Sequence, residues 1–118
     1  MKRILVAEDN DSNYLLTCYI LKNRYECIRA RNGQEAIELV ESEKPDLVLM
    51  DMRMPVMDGM EATAKIKATN PSLPVIAMTA NAFESDSEDA MAAGCCDFLS
   101  KPVSCQKCLE TIAKYIGK

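Results

Sequence analysis

Leu47-Val48-Leu49-Met50-Asp51, LVLMD in one-letter code, is the most informative stretch of this 118-residue chain. Four apolar residues in succession, without alternation and ending in an acid, are typical of a strand that is buried on both faces. Two similar runs lie on either side of it, Ile4–Ala7 and Val75–Met78. These three runs predict the centre of a parallel β-sheet.

Helix-like segments separate the strands. Weaker apolar runs at Cys27–Ala30 and Asp97–Leu99 suit edge strands. Four of the predicted helices begin at Asp11 or Ser12, after Asn32, after Asp58 and after Ser104. The remaining helix is predicted over Glu84–Ala93. The apolar face of the first helix includes Leu15, Leu16, Tyr19 and Ile20. Five strands that alternate with five helices predict an α/β fold, with one parallel sheet covered by helices on both faces.

Polar residues follow four of the predicted strands. Glu8 and Asp9 follow the first strand, Asp51 the third, Thr79 the fourth and Lys101 the fifth. The carboxyl ends of parallel strands share one edge of a sheet, where ligands bind. Three carboxylates at one edge repel each other unless a cation neutralises them, and an oxygen-only ligand set favours Mg²⁺. A carboxylate beside such a cation can accept a phosphoryl group, and Asp51 is the candidate acceptor.

The composition excludes several kinds of chemistry. The chain has no histidine, so it holds no Ser-His-Asp triad, no Cys-His pair and no imidazole metal ligand. Its net charge of −4 argues against non-specific binding to nucleic acid. No apolar run is long enough for a membrane span or a signal peptide, so we expect a cytoplasmic protein.

Four stretches together resemble the response-regulator receiver domain, the CheY-like family. These are Ile4–Asn10 (ILVAEDN), Asp51–Gly59 (DMRMPVMDG), Met78–Ala80 (MTA) and Lys101-Pro102. The resemblance covers the whole chain and is nearest to the receivers of hybrid histidine kinases. It implies the strand order 2-1-3-4-5. It also implies that residues 1–118 form one receiver domain with no output domain.

The resemblance also implies a role for each site residue. Asp51 resembles the phosphoacceptor, and Thr79 and Lys101 resemble the groups that hold the phosphoryl. Glu8, Asp9, Asp51 and the backbone carbonyl of Arg53 resemble the ligands of Mg²⁺, with Mn²⁺ as a possible substitute. Thr79 and Phe98 resemble the switch residues, and Lys101-Pro102 resembles a cis peptide bond of the family.

The implied function is signal transduction in a two-component system. A sensor histidine kinase or a histidine phosphotransfer protein is expected to donate the phosphoryl group in a Mg²⁺-dependent step. The surface formed by the helix over Glu84–Ala93, the last strand and the last helix is then expected to change shape. The protein is not expected to be a turnover enzyme, because its chemistry is limited to phosphotransfer and dephosphorylation of itself. We expect no direct contact with nucleic acid and no membrane insertion.

Other readings of the sequence lead to different functions. Cys105-Gln106-Lys107-Cys108 could be a redox pair, but both cysteines fit the buried stripe of the last helix. Cys95, Cys96, Cys105 and Cys108 could form a zinc site, although adjacent ligands are unusual. The methionines between Met50 and Met60 are better read as core than as a Cu(I) site. A phosphatase with an aspartate nucleophile would need another arrangement of acids around the first strand.

Overall fold

Five parallel strands form the centre of the protein in the computed structural model, which describes residues 2–52, 54, 56–79, 91–101 and 103–117. The strands are β1 (Arg3–Ala7), β2 (Glu26–Ala30), β3 (Leu47–Asp51), β4 (Val75–Thr79) and β5 (Asp97–Ser100). Their order in the sheet is β2-β1-β3-β4-β5. Every neighbouring pair is parallel. The predicted fold and strand order are therefore confirmed.

Four helices lie within the described part of the chain. They are α1 (Asp11–Leu21), α2 (Gly33–Glu43), α3 (Gly59–Thr69) and α4 (Cys105–Ile116). Residues 91–93 are also helical, and the rest of the helix predicted over Glu84–Ala93 lies outside the described residues. None of the helices among the described residues combines the length and the apolar character that crossing a membrane requires.

Each helix start is fixed by a polar side chain. Asn10, Asn32, Asp58 and Ser104 precede the four helices, and each accepts a hydrogen bond from the backbone N–H three residues later. Such caps satisfy a donor that has no partner inside the helix. The capping residues predicted for α2, α3 and α4 are confirmed, and α1 begins at Asp11 as expected.

The sheet separates two apolar cores. Side chains alternate along β1, so that Leu5 belongs to the first core, with buried residues of α2 and α3, and Ile4 belongs to the second core, with buried residues of α1 and α4. β3 is fully buried along its whole length, which explains its continuous apolar sequence. The five methionines from Met50 to Met60 all belong to the first core or pack against it, which confirms the core interpretation.

The apolar face predicted for α1 is wrong in part. Leu15, Leu16 and Tyr19 are exposed, and only Thr17 and Leu21 are buried. Thr17 can face the core because its hydroxyl donates to the carbonyl of Asn13 at 3.0 Å. The helix has more apolar residues than its contact with the sheet can cover, so periodicity alone pointed to the wrong side.

Removing the side chain of Leu49 tests the central position of β3. Leu49→Ala should lower the free energy of unfolding by about 2–5 kcal/mol, because the surrounding core cannot close the cavity. Leu15→Ala removes the same atoms from a side chain that is 64% exposed and should cost less than about 0.5 kcal/mol. Urea unfolding of both variants measures the difference, and equal losses would contradict the placement of β3.

Candidate metal centre

The carboxyl ends of β1, β3, β4 and β5 bring the predicted site residues to one edge of the sheet. Glu8 follows β1 directly, Asp51 and Thr79 are the last residues of β3 and β4, and Lys101 follows β5. The backbone N–H of Lys101 donates to the carbonyl of Thr79 at 2.7 Å, which ties the end of β5 to the end of β4. The prediction that these residues gather at one edge is therefore confirmed.

Lys101 holds two buried carboxylates together. Its ammonium nitrogen Nζ lies 2.8 Å from Oε1 of Glu8 and 3.0 Å from Oδ2 of Asp51. Glu8 is 1% exposed and Asp51 is 4% exposed, so water solvates neither carboxylate well. A buried carboxylate is costly unless it is paired, and this ammonium supplies the pairing charge.

The ionisation of the cluster reflects this burial. Burial raises the pKa of Glu8 to about 7, and the neighbouring Asp51 acts in the same direction, while Lys101 offsets part of the rise. Burial alone would lower the pKa of Lys101, but the hydrogen bonds to Glu8 and Asp51, together with the negative charges of these two acids, outweigh burial and raise that pKa. Lys101 is therefore a permanent positive charge, and additional positive charge at the cluster would favour the ionised form of Glu8.

Three carboxylates at this edge fit a divalent cation. Glu8, Asp9 and Asp51 each offer an oxygen, and these oxygens lie within 4.8 Å of one another. When all three carboxylates are ionised, the cluster with Lys101 has a net charge of about −2, which one Mg²⁺ neutralises. The donor set contains only oxygen, which suits a hard cation, and exposed Asp9 leaves a side open to water.

Gly59, the first residue of α3, packs tightly against the backbone of Asp51. A Cβ atom on Gly59 would lie 2.2 Å from the carbonyl oxygen of Asp51 and 2.8 Å from Cα of Met52. The N–H of Gly59 also donates to the carbonyl of Met52 at 3.2 Å. Val56, in the loop between β3 and α3, is 83% exposed and has a positive φ of 70°, which is rare for a β-branched residue. Gly59 is thus required by close approach of two backbone segments.

Some predicted features stay untested. Arg53, Pro102 and the peptide bond between Lys101 and Pro102 lie outside the described residues. Phe98 lies in β5, opposite Ala77 of β4, and its partly buried side chain packs against the first core. Its predicted role as a switch residue stays a prediction.

Sequence reasoning missed one neighbour of the site, Arg29 on the edge strand β2. Its guanidinium donates to the backbone carbonyls of Glu8 and Asp9 and pairs with Asp11. Nothing in the sequence marked it, because the weak run around Ile28 predicted only an edge strand. The contact arises from the sheet order, which places β2 beside β1.

The cysteines do not form the alternative sites. Among the described residues, Glu8, Asp9 and Asp51 form the only group of three or more potential ligands that are close together, so the zinc site is not assembled. Cys105 is exposed, which corrects its assignment to the buried stripe of α4, whereas Cys108 is buried as predicted. Cys105 is the first residue of α4 and lies about one turn before its first buried residue, Cys108, so the predicted buried stripe began one turn too early. Burial raises the pKa of Cys108 to about 12, which disfavours redox chemistry at this pair.

Comparison with known proteins identifies relatives over nearly the full chain. A family model described as "Response regulator receiver domain" matches residues 4–113. The polar-differentiation response regulator DivK of Brucella anthropi is 40% identical over 119 residues, covering 98% of this chain and 97% of that protein. DivK of Brucella ovis is 39% identical, with the same coverage.

Two of the solved structures that share the fold are receiver domains. The receiver domain of a sensor histidine kinase from Pseudomonas aeruginosa, described with magnesium coordinated in its active-site cleft, is 34% identical with a TM-score of 0.92. The alignment covers 99% of this chain and 98% of that one. The receiver domain of Ssk1 from Saccharomyces cerevisiae, in complex with the histidine phosphotransfer protein Ypd1, is 27% identical with a TM-score of 0.90. That alignment covers 97% of this chain and 88% of the other.

Replacing Lys101 tests its pairing with the buried acids. Lys101→Met should lower the free energy of unfolding by about 3–5 kcal/mol, because two buried carboxylates lose their counter-charge. Added Mg²⁺ should restore part of this loss by supplying positive charge. Lys65→Met breaks an exposed pair with Glu61 and should cost about 0.5 kcal/mol or less. Urea unfolding with and without Mg²⁺ measures both, and equal losses would contradict the role of Lys101.

Thiol reactivity tests the cysteine assignments. At pH 8 the native protein should react with Ellman's reagent at exposed Cys105, whereas Cys108 should react only after unfolding. Cys108 is buried and its raised pKa leaves little thiolate at this pH. Cys105→Ser should remove one thiol from the native reaction, and Cys108→Ser should leave that reaction unchanged. Rapid native reaction of Cys108 would revive the redox hypothesis.

Proposed function

Because the chain belongs to the response regulator receiver domain family, we propose that Asp51 accepts a phosphoryl group from a phosphohistidine of a partner protein. Signalling by phosphorylation in two-component systems is the general function of this family. The observation that carries the assignment to Asp51 is its contact with Lys101, beside the carboxylates of Glu8 and Asp9. In-line attack by the Asp51 oxygen on the phosphorus would break the bond to the histidine nitrogen and leave an aspartyl phosphate.

Receiver domains bind Mg²⁺ at an acidic site, and here the proposed ligands are Glu8, Asp9, Asp51 and the backbone carbonyl of Arg53. Magnesium, when bound, neutralises charge on the carboxylates and on the phosphoryl oxygens. Mn²⁺ is proposed as a substitute, since it accepts the same oxygen ligands. The close approach of the three carboxylates supports this ligand set.

Lys101 and Thr79 are proposed to hold the phosphoryl group. The ammonium of Lys101 already lies 3.0 Å from Oδ2 of Asp51, so it can pair with a phosphoryl oxygen after a small movement. Thr79 ends the strand next to β3 and offers a hydroxyl at the same edge. Lys101 supplies positive charge and Thr79 supplies a hydrogen-bond donor at the place where negative charge increases during the transfer.

Receiver domains are generally not turnover enzymes. We propose that the chemistry of this chain is limited to its own phosphorylation and to hydrolysis of its own aspartyl phosphate. The absence of histidine in the sequence supports a single acceptor, because the chain cannot carry a phosphohistidine of its own. A small-molecule phosphatase activity is not proposed.

The proposed signal leaves through β5 and α4. Thr79 would move towards the phosphoryl group, and Phe98 in the neighbouring strand would follow, which changes the populations of two surface conformations. The direct backbone hydrogen bond between Lys101 and Thr79 supports mechanical coupling of the site to β5. The segment over Glu84–Ala93 is proposed to belong to the same surface.

Receiver domains interact with histidine kinases or with histidine phosphotransfer proteins, of which the yeast complex is an example. We propose a donor of one of these two kinds for this chain, and the cytoplasm as the place of transfer. Six free thiols are compatible with a reducing compartment. Residues 1–118 are proposed to act as one receiver domain.

The mass of the intact protein tests the acceptor. Incubation with acetyl phosphate and Mg²⁺ should add one phosphoryl group to the wild type and none to Asp51→Asn, because the amide cannot act as the nucleophile. Chelation of Mg²⁺ should also prevent the addition. Asp58→Asn is the matched control, because Asn caps α3 as well as Asp does and the site keeps its acids. An adduct on the Asp51→Asn protein would contradict the assignment.

A further inference from the structure

We propose that Arg29 is a positioning residue for the metal centre. It lies on β2, a strand that supplies no carboxylate to the site, and it contacts the turn that carries Glu8 and Asp9. The inference rests on the proposed function, because it takes these two acids as metal ligands. It assigns to the edge strand a part in metal binding.

The guanidinium of Arg29 clamps the backbone of this turn. Nε and Nη2 lie 3.3 and 3.2 Å from the carbonyl oxygen of Glu8, and Nη2 lies 3.4 Å from that of Asp9. Nη2 also lies 2.8 Å from Oδ1 of Asp11, in the first turn of α1. One planar group therefore joins the end of β1, the turn and the start of α1.

Arg29 is itself held in place. In the register of β1 and β2 it lies opposite Val6, and Val6 is two residues before Glu8 along the chain. Its guanidinium stacks on the ring of Tyr14 in α1, 4.6 Å from the ring centre. The side chain is only 16% exposed, so it is packed along most of its length. A rigid donor is the type of group that can fix a backbone conformation.

Fixing these two carbonyls fixes the ligands. The carbonyls of Glu8 and Asp9 define the orientation of the peptide planes on both sides of Asp9. The N–H of Glu8 donates to the carbonyl of Ala30 at 3.0 Å, so the turn is tied to β2 through its backbone as well. Without the guanidinium, the turn samples more conformations, and binding a cation must then restrict them.

A change of charge would confuse the test, so the substitution must keep it. Arg29→Ala removes a positive charge near a cation site, which by itself would favour Mg²⁺. Arg29→Lys keeps the charge and the ion pair with Asp11 but loses the planar fork. Arg31→Lys is the matched control, because Arg31 also pairs with Asp11, at 3.6 Å, and is 63% exposed.

The experiment measures the dissociation constant of Mg²⁺ by isothermal titration calorimetry, at a temperature where urea unfolding shows every variant to be folded. Arg29→Lys should raise this constant about tenfold, the lower end of the range for partners of metal ligands. Arg31→Lys should leave it unchanged. The rate of phosphorylation of Arg29→Lys by acetyl phosphate should return to the wild-type value at saturating Mg²⁺.

Two results would overturn the assignment of Arg29: wild-type affinity for Mg²⁺ in Arg29→Lys, or a phosphorylation rate that stays low at saturating Mg²⁺. The second result would indicate general damage to the site, which excess cation cannot repair. Failure of the wild type to bind Mg²⁺ or to become phosphorylated would instead overturn the proposed function, and this inference with it. The wild-type measurement thus separates the two failures.

Discussion

The ammonium of Lys101 between the carboxylates of Glu8 and Asp51 is the interaction on which the site depends. Both acids are buried at the ends of neighbouring strands, where their mutual repulsion opposes the parallel alignment of the sheet. Lys101 reaches these acids from the side of β4 and β5, because its backbone N–H donates to the carbonyl of Thr79 at the end of β4. The ammonium of Lys101 thereby holds together the charged ends of β1, β3 and β5. A divalent cation can add positive charge to this cluster without displacing the ammonium.

The site also shows why a parallel sheet suits this kind of chemistry. Its residues come from distant parts of the sequence, and each is fixed by a strand whose two faces are packed. The cores on the two sides of the sheet leave the strand ends little freedom, so the acids need not be ordered when a cation binds. Arg29 extends this principle to the edge strand, where a side chain supports the turn that the neighbouring strand leads into.

Sequence alone predicted the sheet and the position of the acids because both depend on simple patterns. Runs such as Leu47–Met50, short and bounded by turn signals, favour a doubly buried strand, and the residue after each run then lies at the shared edge. The failures have a different origin. The exposed side of α1, with Leu15 and Tyr19, and the exposure of Cys105 depend on how much of a helix the sheet covers, which periodicity does not encode. The contacts of Arg29 depend on the register of β2 against β1 and on the path of its long side chain, and neither the apolar pattern nor the predicted strand order specifies these.

The close packing of Gly59 against Asp51 restricts how the loop between them can diversify. No side chain fits at Gly59 without moving the backbone of the residue that carries the acid. Val56, three positions earlier, points into solvent and is limited only by its own backbone angle. A combinatorial library over positions 56 and 59 would therefore recover several residues at position 56, where surface recognition can be altered. At position 59 it would recover glycine alone.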